Sequence, residues 1–137
     1  MDPITIEVLE VDTPNKNNRL YKKDTVEKAL SLLKNREVFA TFQSPADPFS
    51  RDVFSVDLNS TVGLVKDIRI EGSTVIGTFS IMKTPKGLIL EDLLSKGQEF
   101  DYRTNGVANF VAQNDGTVVV EDYQLISIGV MPKGQGA

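Results

Sequence analysis

The fold is decided by residues 62–97, which read VGLVKDIRIEGSTVIGTFSIMKTPKGLILEDLLSKG. Two apolar runs in this stretch, residues 62–70 and 75–81, are joined by a four-residue connection that contains Gly72. Apolar runs separated by so compact a glycine-containing turn predict two antiparallel strands in a β-hairpin. The hairpin is therefore the local starting point of a sheet.

A helix over residues 85–96 is predicted directly after the hairpin. Thr84 precedes it, Pro85 opens it and Gly97 stands just past its end. Thr is favoured at the N-cap, Pro at the first helical position and Gly beyond the last turn. Its buried face is supplied by three leucines, Leu90, Leu93 and Leu94.

The flanking regions predict further strands and one more helix. Alternating or continuous apolar residues indicate strands over residues 4–11, 38–42, 100–111, 117–120 and 123–130. Asn114, Asp115 and Gly116 predict a hairpin turn. Asp24 is the expected N-cap of a helix that ends near Asn35, with an apolar stripe at Val26, Ala29, Leu30 and Leu33.

Six or seven strands with two helices inserted between runs of strands favour an α+β architecture. We expect a small, mostly antiparallel sheet or barrel that carries the helices. Residues 1–131 are predicted to form a single domain, followed by a flexible tail over residues 132–137. Two prolines, Pro45 and Pro48, predict a long loop over residues 43–57.

Composition excludes several kinds of chemistry. The chain of 137 residues has 15 Lys and Arg against 19 Asp and Glu, a net charge of −4, with no Cys and no His. Without Cys there is no disulfide, thiolate nucleophile or Cys-based zinc site, and without His there is no ordinary Ser-His or Cys-His catalysis. The acidic balance argues against binding to nucleic acid or to an anionic membrane. No membrane span, signal peptide, metal or cofactor is predicted.

Four stretches in this order resemble the prohead proteases of tailed bacteriophages, which are head-maturation serine peptidases. The first is residues 13–21, an Asn-rich loop with Arg and Tyr before the helix at 24–33. The others are the hairpin region 57–77, the Thr-Pro-Lys-Gly helix start at 84–87, and residues 121–128. The resemblance implies a herpesvirus-protease-like fold, a small barrel with flanking helices.

The chain departs from that family at the catalytic positions. Where active members have a His before Pro, this chain has Ser44 before Pro45, and the region of a second family His matches Gly63. The segment that holds the family's nucleophilic Ser matches residues 103–106, with Arg103 and Thr104 in its place. The resemblance therefore implies a pseudo-protease whose degenerate positions are Ser44, Gly63, Arg103 and Thr104.

These observations lead to the hypothesis of a non-catalytic phage protein that acts in assembly of the virus head. Its partners would be capsid, portal, scaffold or protease proteins, and it would reside in the virion or in the host cytoplasm during assembly; self-association stays open. The candidate interface combines Phe49 and Phe54 of the long loop with Arg103 and Asn105 of the cleft. Both aromatic residues have the alternative of folding back onto the barrel.

Two functional alternatives stay open. One is a peptidase in which Thr104 is the nucleophile and a group other than imidazole is the base. The other is a regulator that mimics the protease and inhibits it.

One group of acidic residues and one group of basic residues can each be either a binding site or an ordinary solvated surface. A group of acids can bind a divalent cation or remain solvated, and it comprises Glu37, Asp47, Asp52 and Asp57. A group of bases can contact a phosphate or an acidic partner, or can simply be a solvated helix entrance, and it comprises Lys16, Arg19, Lys22 and Lys23.

Overall fold

A computed structural model of the chain describes residues 2–42 and 58–133. Its strands are β1 (Ile4–Glu10), β2 (Arg19–Tyr21), β3 (Val38–Phe42), β4 (Thr61–Glu71), β5 (Thr74–Ile81), β6 (Phe100–Ala112) and β7 (Val118–Pro132). Its helices are α1 (Lys23–Ser31) and α2 (Pro85–Ser95), with short 3-10 turns at Lys34–Arg36 and Leu58–Ser60. The α+β class expected from the sequence is confirmed.

All seven strands belong to one curled sheet in the order β1-β5-β4-β3-β7-β2, and β6 pairs with the other edge of β7. The sheet is mixed but mostly antiparallel, as expected: β2 and β3 run parallel to β7, and the other four strand pairs are antiparallel. β2 and β3 follow one another along the same edge of β7, beside Val118–Val120 and Ile128–Val130, and α1 lies between them in the chain.

Helix α2 begins and ends close to the predicted positions, because neighbouring residues cap both of its ends. The Thr84 side chain accepts a hydrogen bond from the Gly87 N–H at 3.0 Å, and Pro85 occupies the first turn. Gly97 has φ of 88°, a left-handed conformation that favours glycine. Leu90 is fully buried on the face toward the sheet. Neither helix of the described ranges is long and apolar enough to cross a membrane.

The start of α1 differs from the sequence expectation. Lys22, not Asp24, is the N-cap residue, and its side chain makes no capping hydrogen bond. The cap is instead supplied from a distance, since the Lys23 N–H donates to the Asp12 carboxylate at 3.0 Å. The predicted buried residues Val26 and Leu30 do face the core.

The two hairpins are confirmed, and the last two predicted strands are one. Gly72 and Gly116 lie in the hairpin turns with φ of 63° and 89°. β7 runs without a break through residue 122, where Asp122 has φ of 50° and the pairing register shifts. A bulge therefore replaces the predicted interruption. β2 was not predicted as a strand.

The core lies inside the curled sheet and is closed by α1. Phe79 on β5 is 1% exposed and meets Tyr102 of β6 edge to face, with ring centroids 5.6 Å apart. Phe42 of β3 is partly buried, and the centroid of its ring lies 6.5 Å from that of the Phe100 ring. These contacts draw the two ends of the sheet, β1 with β5 and β6 with β7, toward each other.

The close approach at Gly87 gives a stability prediction. A Cβ added there would overlap the Met82 carbonyl oxygen, so Gly87→Ala must shift the first turn of α2. We expect the free energy of unfolding to fall by about 2 kcal/mol, the usual cost of overpacking. Urea denaturation followed by circular dichroism measures it. The exposed neighbour Lys86 provides the control, since Lys86→Ala should change stability by about 0.5 kcal/mol at most. Equal stability of the two variants would contradict the packing described.

Candidate functional site

A groove separates the two outer strands of the curled sheet. β1 pairs only with β5 and β6 pairs only with β7, and within residues 2–42 and 58–133 no strand pairing joins β1 to β6. Between them lies a cavity of about 890 Å³, lined by β1, residues 13–17, the end of α2 and the first part of β6. Each strand therefore presents an unpaired backbone edge to the groove.

Arg103 and Thr104 lie in the wall that β6 contributes to this groove. Thr104 is paired with the fully buried Ile128, so its side chain points to the inner face of the sheet. Arg103 points to the opposite face, and it forms no ion pair with any described residue. The groove thus combines a hydroxyl on its inner side with an unpaired guanidinium on its rim.

Gly63, which the sequence predicts to be another degenerate position, lies level with Thr104 across the sheet but away from the groove. Thr104 pairs with Ile128, Ile128 with Ala40, and Ala40 with Gly63. Three strand spacings separate the two positions, roughly 14 Å along the sheet. A Cβ on Gly63 would overlap the Ser80 carbonyl oxygen and touch the Phe79 ring at 3.1 Å. Packing at this position therefore leaves no room for a side chain of any kind.

Several predicted residues lie outside the described residues. These are Ser44 and the loop aromatics Phe49 and Phe54, together with Asp47, Asp52 and Asp57 of the acidic group. Among the residues that are described, no three Asp or Glu side chains gather as metal ligands. The loop's part in the candidate interface stays a prediction.

The polar side chain that interacts with the Thr104 hydroxyl is Tyr123 of β7. Its hydroxyl is buried and makes no hydrogen bond with a described residue. Burial raises the pKa of Tyr123, and the Thr104 hydroxyl, close by but short of a complete hydrogen bond, acts in the opposite direction. Tyr21 of β2 meets the Tyr123 ring edge to face, with centroids 5.5 Å apart. A tyrosine pair thus supports the inner end of the groove.

This environment does not activate the Thr104 hydroxyl. A tyrosine with a raised pKa keeps its proton at neutral pH, so it cannot accept one from Thr104. No carboxylate or lysine among the described residues forms a hydrogen bond with Thr104. A hydroxyl nucleophile needs an adjacent base, and the described neighbours of Thr104 provide none.

The remaining predicted residues are divided among different contacts. Asn105 donates weakly to the buried Ser127 hydroxyl at 3.4 Å, so its amide is partly engaged within the fold. The basic group does not act as one cluster, because Lys16 and Arg19 line the groove whereas Lys22 lines a separate depression beside α1. The Arg19 guanidinium also stacks on the Phe110 ring, 4.9 Å from its centroid.

Sequence reasoning missed the tyrosines of the site. Tyr21 and Tyr123 lie in the stretches that carry the family resemblance, and Tyr102 stands two residues before Thr104. Their positions within or near those stretches could have marked them as candidate site residues. Their burial and mutual contacts could not be predicted, because these depend on the pairing of β2 and β6 with β7.

Comparison with solved structures finds the same fold in a phage protein. The capsid assembly protease gp21 of bacteriophage T4 superposes with a TM-score of 0.80 at 21% sequence identity, covering 93% of this chain and 80% of that one. The similarity of fold to the prohead proteases, inferred from the sequence, is thereby confirmed. No protein-family model matches the sequence, and no curated protein matches it.

The unpaired hydroxyl gives a prediction for Tyr123→Phe. This change removes a buried polar group that has no hydrogen-bond partner and keeps the ring that packs on Tyr21. We expect the free energy of unfolding at neutral pH to rise by about 1 kcal/mol. Chemical denaturation of both proteins measures the difference. A loss of stability instead would mean that the hydroxyl is hydrogen-bonded in solution.

The same residue predicts how stability changes at alkaline pH. The folded-state pKa of Tyr123 is raised above its unfolded value of 10.0, so the unfolded chain loses this proton first. The contribution of Tyr123 to the free energy of unfolding is constant below about pH 10 and is lost progressively as the pH rises above that value. Denaturation midpoints between about pH 9 and pH 12 should fall less steeply for Tyr123→Phe than for wild type. Parallel curves would contradict the burial of this phenol.

Proposed function

We propose that this chain is a protease-like head-assembly protein of a tailed bacteriophage, which binds an extended segment of another head protein and does not cut it. Its partner would be a capsid, portal, scaffold or protease protein. It would act in the host cytoplasm during assembly or within the virion.

The groove between β1 and β6 is the observation that carries this proposal. The unpaired edge of either strand can add a backbone ladder to an extended segment, which supplies affinity with little dependence on sequence. Side chains on the rim then select the partner. Glu7, Arg19 and Arg103 stand along the groove and offer both signs of charge. An extended polypeptide satisfies such edges better than a small molecule does.

The chemistry around Thr104 supports binding without cleavage. The chain contains no His, and the phenol beside Thr104 retains its proton at neutral pH. At the position matched to the second family His, the packing of Gly63 against Ser80 and Phe79 excludes a side chain. The likeness of fold to a capsid assembly protease supports placing this binding function in head assembly.

A peptide-binding experiment tests the groove. Overlapping peptides that cover the head proteins of the encoding phage are screened against the protein by fluorescence anisotropy. For the peptide that binds, Arg103→Ala should weaken affinity by about fivefold, or about 1 kcal/mol, because it removes a charged rim side chain that selects the partner. Methylation of alternate backbone amides in that peptide should weaken binding as well, because it removes ladder donors.

Arg69→Ala is the matched control for Arg103→Ala. Arg69 also lies on a strand, but it is paired with Asp67 and Glu71 and does not line the groove. Its replacement should leave peptide affinity unchanged. If no head peptide binds, or if the two arginine variants bind equally well, the groove is not the site.

A cleavage assay tests the absence of catalysis. Mass spectrometry of each bound peptide, and of intact head proteins after incubation, should find no new termini. Fragments that appear with wild type and vanish with Thr104→Ala would establish a peptidase and overturn the proposal. Slower cleavage by the phage's own protease would instead support the inhibitory regulator.

A further inference from the structure

The second half of β6 is an exposed edge strand whose own residues carry none of the usual protection against pairing. Among the described strands β6 pairs with β7 alone, and residues 109–112 are exposed to solvent. Phe110 is 51% exposed and Val111 is 41% exposed. No residue between Arg103 and Asp115 carries a charge, and none is proline. Natural edge strands usually carry a charge, a proline or a bulge for this purpose.

The bulges of this hairpin do not protect the edge, because they lie on β7. The register moves from Asn105 with Ser127 to Gly106 with Leu125, one step on β6 and two on β7. It later moves two steps on β6, from residue 107 to 109, and three on β7, from 124 to 121. The extra residues all belong to β7, so β6 itself stays a continuous strand that another strand can follow.

The alternation of the ladder tells which backbone groups of β6 are free. The Gln113 N–H donates to the Thr117 carbonyl at 2.7 Å, so the backbone of Gln113 points toward the strand that it pairs with. Every second residue back along β6, Val111 and Asn109, therefore also has its backbone N–H and C=O directed at β7. In an antiparallel pair these residues alternate with others whose N–H and C=O point away. Ala108, Phe110 and Ala112 are of the second kind, so their backbone groups face outward.

We propose that this edge is a self-association surface, on which β6 of one copy pairs antiparallel with β6 of a second copy about a two-fold axis at Asn109. This register pairs Ala108 with Phe110 of the second copy, so outward-facing backbone groups meet. An isologous interface of this kind closes as a dimer. The proposal does not depend on the function proposed for the groove.

Charge complementarity selects both the partner and the register. Arg103 and Asp115 are equally distant from Asn109 along the chain, so each Arg103 lies opposite the turn that carries Asp115 of the second copy. Arg103 forms no ion pair with a described residue. Asp115 is fully exposed, and the backbone N–H of Thr117 holds its pKa below the ordinary value, so it is anionic at neutral pH. Residues 104–114 carry no charge, so pairing the two β6 strands in this register places no like charges opposite each other.

The test is the oligomeric state of the full chain. Sedimentation velocity over a range of concentrations should show a monomer–dimer equilibrium for wild type. Asn109 donates to the Asp122 carboxylate of its own chain at 3.0 Å, so a lysine at this position would be neutralised there. Asn109→Asp instead places two carboxylates at the axis and should raise the dimer dissociation constant by about tenfold or more. Gln124→Glu adds the same charge at an exposed position of β7, away from the edge, and should leave the equilibrium unchanged.

A charge swap tests the register. Arg103→Glu and Asp115→Lys should each weaken the dimer, and the double variant should restore it; circular dichroism verifies that each variant folds. Hydrogen exchange at Ala108, Phe110 and Ala112 should slow as concentration rises. A protein that stays monomeric, or a dimer that Asn109→Asp leaves intact, would overturn the proposal. A dimer weakened by Asn109→Asp but not rescued by the swap would overturn the register.

Discussion

The structure depends on β7, the strand that holds all the other elements in one sheet. Its 15 residues carry β6 along one edge and both β2 and β3 along the other. β3 in turn brings β4, β5 and β1 into the sheet, and α1 packs across β7 between β2 and β3. A strand paired on both edges must be apolar on its covered faces, and Val120, Ile128 and Val130 are fully buried. The bulges near Asp122 and Ile126 let so long a strand curl around the core.

The same arrangement creates the groove and the exposed edge. β6 lies beyond β7 and β1 lies beyond β5, so among the described strands each has a single paired neighbour and one open edge. The first half of β6 then faces β1 across a cavity, whereas the second half extends into solvent. Both proposals use this edge, the groove for an extended partner segment and the distal half for a second copy. Arg103 lies in the first half of β6, and both proposals use its side chain.

The sequence was a good guide wherever structure is local. The hairpin of β4 and β5 and the capped helix α2 were predicted because turn, cap and apolar period lie within a few neighbouring residues. β2 was missed because it has only three residues and exists through parallel pairing with Val118–Val120, far along the chain. The Asp12 cap of α1 was missed for the same reason. Thr104 was identified as a candidate through the family resemblance. The contact between Thr104 and the Tyr123 phenol could not be predicted, because it depends on tertiary packing and not on any periodic pattern in the sequence.

The central claim is that a protease fold without an activated nucleophile serves in head assembly. The most direct test is quantitative mass spectrometry of mature particles and of empty precursor heads from the encoding phage, with copies of this chain counted in each. The account predicts a fixed number of copies per head in the precursors, and the count in mature particles shows whether the chain stays in the head. Absence from both kinds of head would contradict the claim.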